Sequence, residues 1–132
     1  LLMSKYNNLS VKITFSTPLS HKTEAGADFF LMPSRFEPCG LNQLYSMKYG
    51  TLPIVNMTGG LKDTVVDLEN KEGTGFVLSP LNPENIVKAA ERAKEFYKDK
   101  ESLTEARKRA MKVDSSWKKS AEEYMEVYSS LL

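Results

Sequence analysis

Two spacings of apolar residues divide this chain. Up to about residue 80, short apolar runs alternate with helix-like stretches; from Pro83 onward only helical spacing remains. Val11-Lys-Ile-Thr-Phe15 alternates apolar and polar positions and is rich in β-branched residues, which predicts a strand. Pro18 opens a short helical segment that ends near Gly26, with Leu19 and Ala25 as packing positions. Asp28-Phe-Phe-Leu-Met-Pro33 is a continuous apolar run, the pattern of a strand covered on both faces of a parallel sheet. A loop at 34–40 then leads to a helix at about 41–49, closed by Gly50. Leu52-Pro-Ile-Val-Asn56 predicts a third strand, Thr58-Gly-Gly60 the entry to a helix at about 61–68, and Gly75-Phe-Val-Leu78 a fourth strand after the charged loop 69–73.

Beyond residue 80, Asn82 or Ser79 can cap a helix starting at Pro83, with Ile86, Val87, Ala90, Ala93, Phe96 and Tyr97 on its apolar face. Residues 101–111 alternate Glu with Lys and Arg, which predicts a solvated helix. A last helix, about 117–131, places Ala121, Tyr124, Met125, Val127 and Tyr128 for packing, with Trp117 as its anchor. Strand–helix alternation followed by helices predicts an α/β class: a Rossmann-like parallel sheet of about four strands, flanking helices and a C-terminal helical segment. Composition narrows the function. With 132 residues the chain is one domain or part of one. A net charge of +1 gives no electrostatic case for nucleic acid or an anionic membrane, and no apolar run is long enough to span a bilayer. Cys39 is the single cysteine, so no internal disulfide forms and a reducing compartment is expected.

The chemistry concentrates in Pro33-Ser-Arg-Phe-Glu-Pro-Cys-Gly-Leu-Asn-Gln-Leu44, at the carboxyl end of a strand and the start of a helix. In open α/β sheets ligands bind in that crevice. Gly40 lets the backbone approach a ligand, and the first amides of the next helix, Gly40 to Asn42, are unpaired anion donors. Glu37, fenced by Pro33 and Pro38, suits a sugar diol better than a phosphate. Thr58-Gly59-Gly60-Leu61 brings further amides to the same sheet edge. Together these suggest a sugar phosphate or nucleotide sugar, although helix–strand packing is an equally available role for such glycines.

These segments, with Ala25-Gly-Ala-Asp28, Pro33-Ser-Arg-Phe-Glu-Pro-Cys-Gly-Leu41, Tyr49-Gly-Thr51, Thr58-Gly-Gly-Leu-Lys-Asp-Thr-Val65, Gly73-Thr-Gly-Phe76 and a late Ser116-Trp117, resemble the C-terminal half of bacterial glycogen synthases and plant starch synthases. The resemblance implies part of the C-terminal nucleotide-sugar-binding domain of a retaining GT-B glucosyltransferase, with sheet and donor loops at 1–80 and helices at 83–132. It implies glucose transfer from ADP-glucose, or UDP-glucose, to the non-reducing end of an α-1,4-glucan. No cofactor and no metal is implied, and the compartment is the cytoplasm, or the plastid in a plant or alga.

By the same resemblance Glu37 is the catalytic-site carboxylate that orients the donor glucose. Cys39, Gly40 and Leu41 contact glucose and the distal phosphate, Asn42 stands beside phosphate or ribose, Gly59 and Gly60 belong to the second amide cluster, and Phe15 stacks on the base. Tyr45 stands eight residues after Glu37, where the broader superfamily carries a second Glu. His21 reads as a packed or capping residue, and Asp63 with Asp67 as a solvated helix face. The Arg/Lys clamp for the diphosphate, the first two strands of the domain and an N-terminal acceptor domain are expected upstream of Leu1, so the chain alone is expected to be inactive. With those strands missing, the run at 11–15 is expected to pair directly beside 28–33, or to have its edge covered by another chain. A stand-alone module that binds an ADP-sugar without catalysis is the alternative.

Overall fold

In the computed structural model, which describes residues 5–131, three parallel strands form one sheet in the order β1 (Phe29–Met32), β2 (Leu52–Asn56), β3 (Phe76–Leu78). Phe29 lies opposite Leu52 and Met32 opposite Val55, while Ile54 and Asn56 lie opposite Phe76 and Leu78. Helix α1 (Thr17–Gly26) precedes β1, α2 (Asn42–Tyr49) joins β1 to β2, and α3 (Gly59–Thr64) leads toward β3. Helices α4 (Pro83–Phe96), α5 (Lys100–Lys112) and α6 (Trp117–Ser129) follow. Polar caps start four of them: Ser16, Asn82, Asp99 and Ser116 each accept a backbone N–H from three residues on. Gly50, in the left-handed region at φ +81°, stops α2 by donating its N–H to Met47 and Ser46 carbonyls.

Strand β2 is central and fully buried. On the face of Leu52 and Ile54 lie Met47 of α2, Leu103, Ala106 and Ala110 of α5, and Ala89 and Ala93 of α4. On the opposite face Val55 meets Leu61 and Val65. A sheet covered on both sides in this way explains why Leu-Pro-Ile-Val is apolar throughout rather than alternating.

Several expectations are corrected. Residues 11–15 form no strand, so the sheet has three strands; Ile13 and Phe15 are each 98% exposed. Alternation supplies the β pattern, but pairing is non-local: in the doubly wound order 3-2-1-4-5-6 two strands stand between the third and the fourth. The expected pairing of 11–15 with 28–33 therefore fails, and β1 is the outer strand of this sheet with Leu31 44% exposed rather than buried on both faces. Helix α3 stops at Thr64, so Asp63 and Asp67 do not share a helix face. The buried face of α4 is Ala89 and Ala93 with Ile86 and Phe96 beside them, rotated away from Val87 and Ala90. Helix α5 is not merely solvated, because Leu103, Ala106 and Ala110, spaced three and four apart, fill the core beneath its charged side. Helix α6 buries none of its residues; Trp117 is 88% exposed, and Tyr124, Met125, Val127 and Tyr128 are exposed as well. The amphipathic spacing of α6 makes a helix, but no element among the described residues covers it.

Candidate functional site

The carboxyl ends of β1 and β2 bring two turns into backbone contact. A side-chain carbon at Gly59, where φ is +43°, would overlap the Glu37 carbonyl oxygen, and one at Gly60 would stand 2.6 Å from the Cys39 Cα while overlapping its carbonyl oxygen. Only glycine allows so close an approach. The Gly60 N–H donates to the Glu37 carbonyl at 3.3 Å. Gly60 thus holds the first loop against the second turn, and its own amide is occupied by that contact.

Five of the eight carbonyls at 34–41 are taken up from within the protein. Asn56 Nδ2 donates to Ser34 at 2.9 Å, Gly60 N–H to Glu37, Gln43 Nε2 to Cys39 at 3.1 Å and to Gly40 at 2.9 Å, and the Tyr45 N–H to Leu41 at 2.9 Å. Among the described residues, none of the backbone N–H groups at 34–41 finds a protein acceptor. Leu41, the N-cap of α2, supplies no side-chain cap, which leaves the first-turn amides of Asn42, Gln43 and Leu44 without a helical partner as well. A surface of donors backed by satisfied carbonyls is what an anionic ligand requires. Gln43 and Asn56, both buried, organise it, and the sequence reading passed over both. For Gln43 the available signal was a carboxamide in a first helical turn, three residues after a glycine, where the side chain can reach back along the chain.

Glu37 is half-buried in this loop, with Ser34 Oγ 3.4 Å from its Oε2. Cys39 is a free, exposed thiol beside it. Phe15, Leu41 and Asn42 lie apart from Glu37, around a cleft of about 960 Å³ that Phe30, Tyr45 and His21 also line. The predicted residues therefore fall into two neighbouring groups: Glu37, Cys39, Gly40, Gly59 and Gly60 meet at the two turns, and Phe15, Leu41 and Asn42 line the cleft. His21 rests between Tyr49, whose hydroxyl is 3.3 Å from Nδ1, and the buried Glu24 carboxylate at 3.9 Å, consistent with a packed role.

The loop at 66–75, at the opposite end of the strands, is organised in the reverse sense. Asp67 Oδ1 accepts the Glu69 N–H at 2.9 Å and Oδ2 the Val77 N–H at 2.7 Å, while Arg92 of α4 grips both oxygens at 2.6 and 3.3 Å. Partial burial pushes the Asp67 carboxyl up. The Arg92 hydrogen bond, the two amides and the guanidinium charge outweigh it, leaving the group below its ordinary value. Asp67 is thus a structural clasp, not half of a solvated pair. Among the described residues no group of three or more His, Cys, Asp or Glu side chains is placed to hold a metal ion.

The profile of the family described as Glycosyl transferases group 1 matches residues 3–113. The chain belongs to this family. It is 47% identical over 129 residues to the glycogen synthase of Rhizobium etli, covering 94% of this chain and 27% of that protein. It is 51% identical over 129 residues to the glycogen synthase of Nitrosospira multiformis, covering 94% and 26%. Among solved structures it is similar to the catalytic domain of starch synthase IV from Arabidopsis thaliana bound to ADP and acarbose, with a TM-score of 0.80 and 36% identity over 89% of this chain and 25% of that one. Sucrose-phosphate synthase from Thermosynechococcus elongatus shares the fold at 23% identity and a TM-score of 0.65, covering 98% of this chain and 32% of that one. The resemblance to glycogen and starch synthases holds, and this glycosyl transferase chain spans about a quarter of the length of the curated relatives it matches.

Proposed function

We propose that this chain forms the donor-binding part of a glucan synthase, in which sheet and loops at 1–80 seat a nucleotide sugar and the helices at 83–132 support them. In the whole protein, glucose passes from ADP-glucose or UDP-glucose to the non-reducing 4-hydroxyl of an α-1,4-glucan with retention of configuration. The observation that carries this reading is the loop at 34–41: five of its carbonyls held by protein donors, N–H groups without protein acceptors, and a half-buried carboxylate between them. Similarity to glycogen synthases and to a starch synthase bound to ADP supports the same ligand class.

In this reading Glu37 accepts hydrogen bonds from the glucose hydroxyls and supports positive charge growing on the ring. The amides around Cys39, Gly40 and Leu41 face glucose and the distal phosphate, with Asn42 beside phosphate or ribose and Gly59 near the same edge. Phe15 offers its exposed ring to the base across the cleft. The bond from glucose C1 to the diphosphate oxygen breaks, the nucleoside diphosphate leaves with the electron pair, and the acceptor oxygen joins C1 from the same face as its hydroxyl proton passes to the departing phosphate oxygen. Charge on that leaving group calls for a cationic clamp, which we assign, with the acceptor-binding domain, to parts of the protein outside these 132 residues. A polypeptide of residues 1–132 alone is accordingly expected to transfer no glucose. We place the protein in the cytoplasm, or the plastid of a plant or alga; no helix among the described residues is long and apolar enough to cross a membrane.

The test is an assay of the full-length protein with radiolabelled ADP-glucose or UDP-glucose and glycogen. Label is expected in α-1,4-linked, non-reducing terminal glucose. Binding of the nucleotide sugar with no transfer from either donor would leave a binding module instead, and absence of both would overturn the reading.

A further inference from the structure

Gln43 is fully buried in the first turn of α2, a position that an apolar side chain of the same length would fill without a desolvation cost. Its amide nitrogen has three oxygen neighbours: the Cys39 carbonyl at 3.1 Å, the Gly40 carbonyl at 2.9 Å and Thr64 Oγ1 at 3.1 Å. Thr64 Oγ1 in turn donates a hydrogen bond to the Gly60 carbonyl at 2.6 Å, so one carboxamide connects both glycine turns. The opposite orientation of the amide would set its oxygen against three oxygens, which fixes the NH₂ end as the one facing the loop. The remaining oxygen, Oε1, is buried with no protein partner among the described residues and stands 2.5 Å from where a Gly40 side chain would begin. A glycine at φ +75° is therefore needed at 40 for Gln43 to enter at all.

We infer that Gln43 is a positioning residue: by drawing the carbonyls of residues 39 and 40 inward it sets the peptide planes whose N–H groups meet the diphosphate. The inference rests on the donor-site reading for its ligand. It does not rest on that reading for its effect on the loop. The side chain touches no reacting atom. Its contribution is the direction in which two peptide groups point, and a carbonyl turned outward at either would place partial negative charge against the phosphate.

The test uses the full-length protein with two substitutions and two readouts. Gln43→Glu keeps the length of the side chain but, ionised, offers no donor; protonated, it regains one O–H. ADP affinity of Gln43→Glu relative to the unsubstituted protein should fall about tenfold or more near pH 8. It should recover most of that loss near pH 5.5, since burial raises the pKa of a carboxyl. Gln43→Met removes the donor without adding charge; in the absence of nucleotide it should speed hydrogen exchange of the Gly60 and Tyr45 amides, which donate to the Glu37 and Leu41 carbonyls of the loop, while leaving 66–75 unchanged. A pH-independent affinity ratio, or exchange at Gly60 and Tyr45 unaltered by Gln43→Met, would overturn the inference. If the unsubstituted protein binds no ADP yet Gln43→Met still speeds exchange at Gly60 and Tyr45 and not at 66–75, the donor-site reading falls and the positioning role stands.

Discussion

Residues 34–41 and residues 66–75 lie at opposite ends of the parallel strands, and each is tied down by buried or half-buried polar side chains. At 66–75 most N–H groups are satisfied, by side chains and by carbonyls of the loop itself. Val66 donates to Thr74 Oγ1, Leu68 to the Gly75 carbonyl, Glu69 to Asp67, Glu72 to Asn70, and Thr74 and Gly75 both to the Val66 carbonyl. At 34–41 the carbonyls of residues 34, 37, 39 and 40 are satisfied by Asn56, Gly60 and Gln43, while the N–H groups are left open. The choice of side chain contributes to the difference, beside the loop's own backbone bonds. Carboxylates and hydroxyls collect N–H groups and close a loop on itself, whereas carboxamide NH₂ groups collect carbonyls and leave donors outward. Two loops of similar order thus have opposite chemistry, and only one suits an anionic ligand.

Substitutions can break this contrast from either side. The largest effect is expected at Glu37, which holds the ligand rather than the loop. In the full-length protein Glu37→Ala should lower kcat by about 10²-fold or more, roughly 2.7 kcal/mol of transition-state stabilisation, while thermal unfolding barely changes. Near-normal kcat would remove Glu37 from the site. Gly60→Ala forces backbone apart between the two turns, so it should cost about 1–3 kcal/mol of stability and weaken nucleotide binding together. An unchanged melting temperature would show that the two turns do not touch as described.

On the other side of the contrast, Arg92→Met unclasps Asp67 from α4 and should cost about 1–2 kcal/mol, the low end for a charged pair partly open to solvent. Its kcat should stay at the unsubstituted value, because 66–75 is remote from the donor loop; a matching fall in kcat would contradict the separation of the two loops. The smallest effect is in pH. A carboxyl lowered in the folded state stabilises above its unfolded value, about 3.9, and that stability is lost as pH falls through the lower folded value. The difference in melting temperature between the unsubstituted protein and Asp67→Asn should therefore be flat above about pH 5 and shrink below about pH 4. A difference that grows on acidification would reverse the sign assigned to Asp67.

How much of this was legible depended on whether the information was local. The run Leu52 to Val55 between Gly50 and the Thr58-Gly-Gly turn announces a buried strand, and Asn82 before Pro83 announces a capped helix; both are local signals, and the fold confirms both. The alternation at 11–15 is equally local, but a strand exists only if a neighbour pairs with it, and that neighbour is not encoded nearby. Trp117 and Tyr128 mark an apolar helix face without naming what covers it. In α5 the three core residues were masked by the charges between them. At the candidate site, glycines and Glu37 stood out because two glycine turns fall at one sheet edge beside a carboxylate fenced by prolines. Gln43 and Asn56 did not, since a carboxamide looks solvated until its burial and its acceptors are known.

The claim that residues 34–41 are the anion-receiving loop is most directly tested by hydrogen–deuterium exchange of the full-length protein with and without saturating ADP. Protection is predicted over 37–44 and at the second turn, 58–61, with 66–75 unchanged. ADP that binds without slowing exchange at 37–44, or that protects 66–75 instead, would contradict the account.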